Sequence, residues 1–299
     1  MQNKFFLILL AMYLSLGAHA QESAIDKEAE SPNFVHAYIL DITPGKAFYS
    51  VYGHNALRLV CPSKHLDYCF TFEMDMNKSS YLSVFTRKAK AGFAIAPTSV
   101  FFGNYKEEGR GITQYELNLT PKQKQELWKV LDEEVAQGAI WDFNYTSINC
   151  LSMVFYAINK ATAPENIIFP KLPSIIKGDY TVWMDYVSRR SPWVRLIMRT
   201  VLHGVDGNSI APEDKLSSEM VKEVLPSAAI IDGNGHAKSL TKGKPQIVQE
   251  ASYHDAPCWF TPTMAFAILV VFILFLGAFC YRLHNKKRMY QHQRNKNYE

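Results

Sequence analysis

This 299-residue chain lacks the marks that announce many enzymes. No Cys/His spacing suits zinc, no glycine-rich loop suits a phosphate, and there is no Gly-x-Ser-x-Gly elbow. No cofactor or metal is therefore expected. There is no internal repeat and no low-complexity tract. A strong charge of one sign is missing too. Against 28 Asp and Glu stand 32 Lys and Arg, a net +4, and the C-terminal tail alone supplies more than that. No nucleic-acid footprint remains, and no nucleic-acid partner is expected.

Two apolar runs set the compartment. Lys4, the greasy segment Phe5 to Leu16 and Ala18-His19-Ala20 read as a secretory signal peptide over 1–20, cut before Gln21. The segment is short for a stable span, which disfavours an uncleaved anchor. From Trp259 to Tyr281 no residue is charged, and aromatic residues sit at both ends. This length predicts a transmembrane helix over 259–281. A buried core helix of that length normally shows a polar face. Arg282, Lys286, Lys287, Arg288, Arg294 and Lys296 follow, a basic flank that places 282–299 in the cytoplasm. The body then lies in the periplasm, held at the inner membrane by its C-terminal helix. Residues 21–30 read as a flexible leader, 31–240 as one domain, and the mostly polar 241–258 as a linker.

Within the body, Phe34 to Leu40, Asn55 to Val60, Tyr68 to Met74 and Thr113 to Leu119 alternate like strands. The period then changes. Thr120-Pro121 is a cap followed by proline at the first helical position, and this helix is expected to end at Gln137-Gly138. A second helix starts near Asn149, and Val182 to His203 and Ser217 to Leu225 also read as helical. The pattern is α+β. Cys61 and Cys69 flank a short turn between strand-like segments. In an oxidising compartment they can close a hairpin as a disulfide. They are spaced unlike a Cys-x-x-Cys redox pair.

His54 stands where a strand begins, directly after Gly53. Cys150 follows Asn149 at a helix start. The free N–H groups and partial positive charge there favour a thiolate and can hold an oxyanion. A histidine arriving from a strand can serve such a thiol as base. Two readings stay open on the residues alone: a Cys–His catalytic pair, or a small buried cysteine and a histidine bonded to a loop carbonyl. Asn55, Asn149 and Tyr52, beside these two anchors, are the candidate substrate contacts. Asp142, Asn144 and Tyr145 are candidates to line the same cleft. Arg58, if it faces inward, needs a carboxylate that no pattern names.

The motifs have a recognisable order. Pro44-Gly45, then Tyr49-Ser50-Val51-Tyr52-Gly53-His54-Asn55-Ala56-Leu57-Arg58-Leu59, precede Arg110 and the strand Gln114-Tyr115-Glu116-Leu117-Asn118-Leu119. Ile148-Asn149-Cys150 and Ser191-Pro192-Trp193-Val194-Arg195 follow. This order resembles the Lnb N-terminal periplasmic domain family, a bacterial group common in Bacteroides-type species, over roughly Phe34 to Ile230. The layout is also similar to circularly permuted papain-like proteins of the NlpC type. The resemblance implies an antiparallel sheet with packed helices, Cys150 as nucleophile and His54 as base. It departs at Tyr68-Cys69-Phe70-Thr71-Phe72-Glu73, where Thr71 takes the place of an asparagine suited to orient the histidine. Asp67 and Glu73 are the alternative orienters. The expected function is thiol-dependent hydrolysis or acyl transfer on an amide or ester of an envelope substrate: peptidoglycan peptide, lipoprotein or acylated lipid. The other expectation is a non-catalytic binding or chaperone-like domain on a degenerate hydrolase fold.

Overall fold

The computed structural model describes Ala29 and residues 31–75, 77, 79–80, 83, 89–177, 180–201, 215–254 and 258–296. The expected signal peptide, and the leader save for Ala29, lie outside these. The strands are β1 (His36–Ile42), β2 (His54–Cys61), β3 (Leu66–Met74), β4 (Lys90–Pro97), β5 (Ile112–Leu117), β6 (Trp141–Asp142), β7 (Asn166–Ile168), β8 (Ala229–Ile231), β9 (Ala237–Ser239) and β10 (Thr241–Gln249). The main helices are α1 (Thr98–Glu107), α2 (Pro121–Gln137), α3 (Cys150–Thr162), α4 (Tyr180–Val187), α5 (Pro192–Val201) and α6 (Pro262–Lys296).

Seven strands form one antiparallel sheet in the order β10-β5-β1-β2-β3-β4-β6, and β7-β8-β9 form a second, small one. Side chains alternate across a strand, so β1 and β2 each feed two cores. Ala37, Ile39, Leu57, Leu59 and Phe70 pack under α2 and α3, against Leu127, Leu131, Leu151 and Val154. Leu40, Ile42, Ala56 and Cys69 face the other way, toward Phe101 of α1. The fold is thus α+β, a large antiparallel sheet between packed helices, with one apolar C-terminal helix.

Arg58 faces the α1 side and finds its carboxylate in Asp67. Its Nε and Nη2 donate to the two Asp67 oxygens at 2.9 and 2.7 Å, and Nη1 donates to Gln114 at 2.9 Å. Thr98, at the start of α1, also donates to Asp67. This two-pronged pair locks β2, β3, β5 and α1 together.

Several expectations are corrected. Cys61 and Cys69 are both free thiols. Cys69 pairs with Arg58 across the hairpin, whereas Cys61 lies three residues further along β2. An odd offset points the two sulfurs to opposite faces of the sheet, and no disulfide can span it. The linker does not start at 241, because β10 occupies Thr241–Gln249 as an edge strand beside β5. The helix expected from Val182 to His203 is two helices, since Pro192 starts α5 after a turn; His203 itself lies outside the described residues. The segment from Ser217 to Leu225 is a chain of short turns with only Val221–Val224 as α-helix.

Candidate active site

Gly53 sets up the first anchor. Its φ is +77°, and a Cβ there would sit 2.9 Å from the carbonyl oxygen of Ile42. Only glycine fits this turn without strain. The chain then enters β2 with His54 as its first residue. Nε2 of His54 lies 2.6 Å from Oγ1 of Thr71 on β3. Thr71 is buried, and the imidazole stacks on Tyr105 of α1 with centroids 6.2 Å apart. Among the described residues Nδ1 of His54 has no hydrogen-bond partner. Burial, aided by the nearby charge of Arg110, drops the His54 pKa to about 3. The ring is neutral at any physiological pH.

The second anchor is built by a cap. Asn149 precedes α3, and its Oδ1 accepts from the N–H groups of Leu151 and Ser152 at 2.9 and 3.0 Å. Ser152 returns the favour by accepting from the Asn149 N–H at 2.9 Å. This is a capping box. It fixes Cys150 as the first residue of the helix. The backbone N–H groups of Asn55, Leu151 and Cys150 bear on its sulfur, and Oγ of Ser218 lies 3.2 Å away. Burial nevertheless outweighs these donors and pushes the thiol above its ordinary pKa. The donors at the helix start therefore do not lower the thiol as expected, because the desolvation of the sulfur outweighs them.

Both anchors open on one cavity of about 400 Å³. Tyr52, Tyr105, Arg110 and Ser218 line it with them, beside an apolar wall that includes Phe72, Trp183, Val194 and Met198. Of the candidate substrate contacts, Tyr52 and Asn149 line this space. The Asn149 side chain is already engaged, its Oδ1 in the cap and its Nδ2 donating to the Tyr145 and Thr146 carbonyls. Asn55 is turned away: its side chain is fully buried, its Nδ2 donates to the Leu40 carbonyl at 3.2 Å, and only its backbone N–H reaches the site. Tyr145 also lines the cavity, whereas Asp142 pairs with Lys90 at 2.6 Å on an exposed edge. Asp67 is held by Arg58 and Thr98, so it does not orient His54.

Tyr105 and Ser218 are not legible in the sequence as site residues. Tyr105 sits on α1, which has no marked apolar face, and Ser218 arrives from a turn 68 residues beyond Cys150. Arg110 was noticed only as part of a motif, although its flanking Gly109 and Gly111 marked an unusual approach of backbones. Among the described residues no group of three or more His, Cys, Asp or Glu is placed to hold a metal ion.

Sheet, cavity and apolar tail together define an α+β protein that presents a capped cysteine and a strand histidine to a shared pocket. The family model of the Lnb N-terminal periplasmic domain matches residues 22–177. The match spans more than half of the chain, and the protein belongs to that family. No curated protein and no solved structure matches it. A periplasmic domain followed by one helix long and apolar enough to cross a membrane, Pro262–Met289, fits a membrane-anchored protein.

Proposed function

We propose that the protein is a membrane-anchored periplasmic cysteine hydrolase or acyltransferase. It acts on an amide or ester of an envelope molecule, and its C-terminal basic segment lies in the cytoplasm. The observation that carries this reading is the convergence on Cys150. Its sulfur meets the N–H of the residue directly after His54, at a capped helix start, in a cavity that His54 also lines. The chain order, strand histidine before helix cysteine, supports a permuted papain-like layout.

In the resting state both partners are neutral, so catalysis starts from a thiol and an imidazole rather than from an ion pair. Thr71 accepts from Nε2–H and leaves the lone pair of Nδ1 toward the cavity. As the Cys150 sulfur adds to the carbonyl carbon, its proton passes to Nδ1. The negative charge moves onto the carbonyl oxygen, where the N–H groups of Cys150 and Asn55 receive it. The imidazolium then protonates the leaving amine or alcohol, and a thioester remains. Water or a second amine or alcohol, deprotonated by His54, attacks the thioester and frees the thiol.

Substrates with an acyl chain suit the cavity better than a bare peptide. Its wall is apolar, and Val194 and Met198 of α5 belong to it. The same helix is tied to the approach of α6, where Trp193 Nε1 donates to the Phe260 carbonyl at 2.7 Å.

The test is acylation of the full-length protein in detergent by p-nitrophenyl octanoate. Mass spectrometry should find the octanoyl group on Cys150, and His54→Ala should slow its appearance by about 100-fold or more. Octanoylation that is equally fast without His54, or that never reaches Cys150, ends the catalytic reading. The raised thiol and the threonine at position 71 favour the second reading, a binding or chaperone-like domain on a degenerate fold. That reading gains if acylation fails while the cavity still takes up amphiphiles.

A further inference from the structure

We infer that Arg110 is an anion anchor, holding an acidic oxygen group of the substrate, phosphate or carboxylate, inside the cavity. The side chain is 3 % exposed. Two of its three nitrogens are accounted for. Nε donates to the Thr43 carbonyl at 2.7 Å, and Nη1 donates to Glu108 at 3.2 Å. The guanidinium carbon lies 4.7 Å from the centre of the Tyr105 ring. The third nitrogen, Nη2, is buried and has no partner among the described residues. Leaving a charged donor unpaired in the interior is costly, and native structures rarely tolerate it without a use.

A structural role explains only part of this. The bond through Nε braces the loop after β1, whereas the bond through Nη1 stays within the turn that follows α1; Gly45 is the residue that lets the guanidinium stem pass, since a Cβ there would sit 2.9 Å from Arg110 Cδ. Neither contact needs Nη2. Glu108 meets the guanidinium through one oxygen and is itself 40 % exposed, so the charge is incompletely matched. The side chain lines the same cavity as His54 and Cys150. An anion arriving there gains a charge-assisted hydrogen bond from a side chain that is itself already buried. Glu73 and Glu108 also line the cavity, so an acidic group gains only where it meets the unpartnered Nη2, and beside the apolar wall this selects an amphiphile carrying one such group.

This inference rests on the cavity being the substrate site, but not on any chemistry at Cys150. The test therefore uses the full-length Cys150→Ala protein in a neutral detergent. Binding of octyl phosphate, octanoate and octanol is followed by tryptophan fluorescence, since Trp183 lines the cavity. At least one anion should bind about tenfold or more tighter than octanol, and Arg110→Gln should bring all three to within about threefold. Tighter phosphate than carboxylate binding assigns a phosphate ester; the reverse assigns a carboxylate. Octanol that binds as tightly as both anions while Arg110 is intact overturns the inference, and that comparison needs no Arg110 variant to fold. A protein that shows anion selectivity yet forms no acyl adduct keeps this inference and loses the catalytic one.

Discussion

At the scale of single residues, two groups shifted by desolvation pull the pH dependence of stability in opposite directions. His54 titrates at about 3 when folded and near 6.5 when unfolded. The unfolded chain therefore binds the proton first, and stability is lost as pH falls from about 6.5 toward 3, by up to about 5 kcal/mol. Asp41 is raised by burial to about 6, with Lys222 at 3.7 Å offsetting only part of the cost. Here the folded state binds the proton first, so stability falls as pH rises from about 4 to 6, by up to about 3 kcal/mol. Thermal unfolding of the full-length protein at a series of pH values should separate them. His54→Gln should flatten the acid limb below pH 6. Asp41→Asn should raise the melting temperature at pH 7 relative to pH 4. An acid limb unchanged by His54→Gln would mean that the imidazole is hydrated and titrates normally. The Thr71 hydroxyl has a narrower task. Thr71→Val keeps the volume and deletes only the partner of Nε2. It should cut the acylation rate by about 10–100-fold with little change in substrate affinity. Thr71→Asn should restore part of the rate, whereas a loss of affinity without a loss of rate would make Thr71 a packing residue.

At the scale of elements, what the sequence revealed depended on how local the cause was. The bounds of α2 could be read because both ends carry their own chemistry. Thr120 and Gln123 form a capping box, Pro121 starts the helix, and Gly138 ends it at φ 59°. The start of α3 was legible for the same reason. Asn149→Ala should therefore cost about 1–2 kcal/mol in denaturant unfolding. It should slow Cys150 acylation by far more than that stability loss explains, because the cap sets where the sulfur stands. A rate that survives the lost cap would separate helix position from reactivity. Strands β4 and β10 were not legible. β4 reads Lys-Ala-Gly-Phe-Ala-Ile-Ala-Pro, too poor in large apolar side chains to stand out. β10 carries Gly243 and Pro245, and the register with β5 shifts between Lys242 and Gln246, where they sit. Proline is tolerated at such an edge irregularity. That strand is held by backbone pairing with β5 and by side-chain bonds of Lys242, Gln246 and Gln249 to β5 and its flank, none of which an apolar alternation reveals. The contribution of Ser218 and Tyr105 to the site was hidden for a related reason. Each reaches the cavity only through tertiary packing.

At the scale of the whole molecule, the cavity and the membrane helix are linked through α5. One face of α5 supplies Val194 and Met198 to the cavity wall. Its first turn presents Trp193, whose ring lies 5.8 Å from that of Phe260 and whose N–H is bonded to the Phe260 carbonyl. Two residues later α6 begins, and the apolar stretch within its Pro262–Met289 portion is not buried by protein. Trp and Tyr sit at membrane interfaces because one edge is apolar and the other polar. In the proposed topology Trp193 would stand near the bilayer surface, its bond to Phe260 would hold the cavity wall close to it, and a substrate in the outer leaflet would reach Cys150 without crossing open water. Two substrates test this. Trp193→Ala should leave turnover of a soluble octanoyl ester within about twofold. It should lower turnover of an acyl donor embedded in phospholipid vesicles by about tenfold, because the donor must then pass through water. An equal fall for both substrates would show that Trp193 merely supports the fold. An equal survival of both would show that the cavity is fed from the aqueous side, with α6 acting as a tether and nothing more.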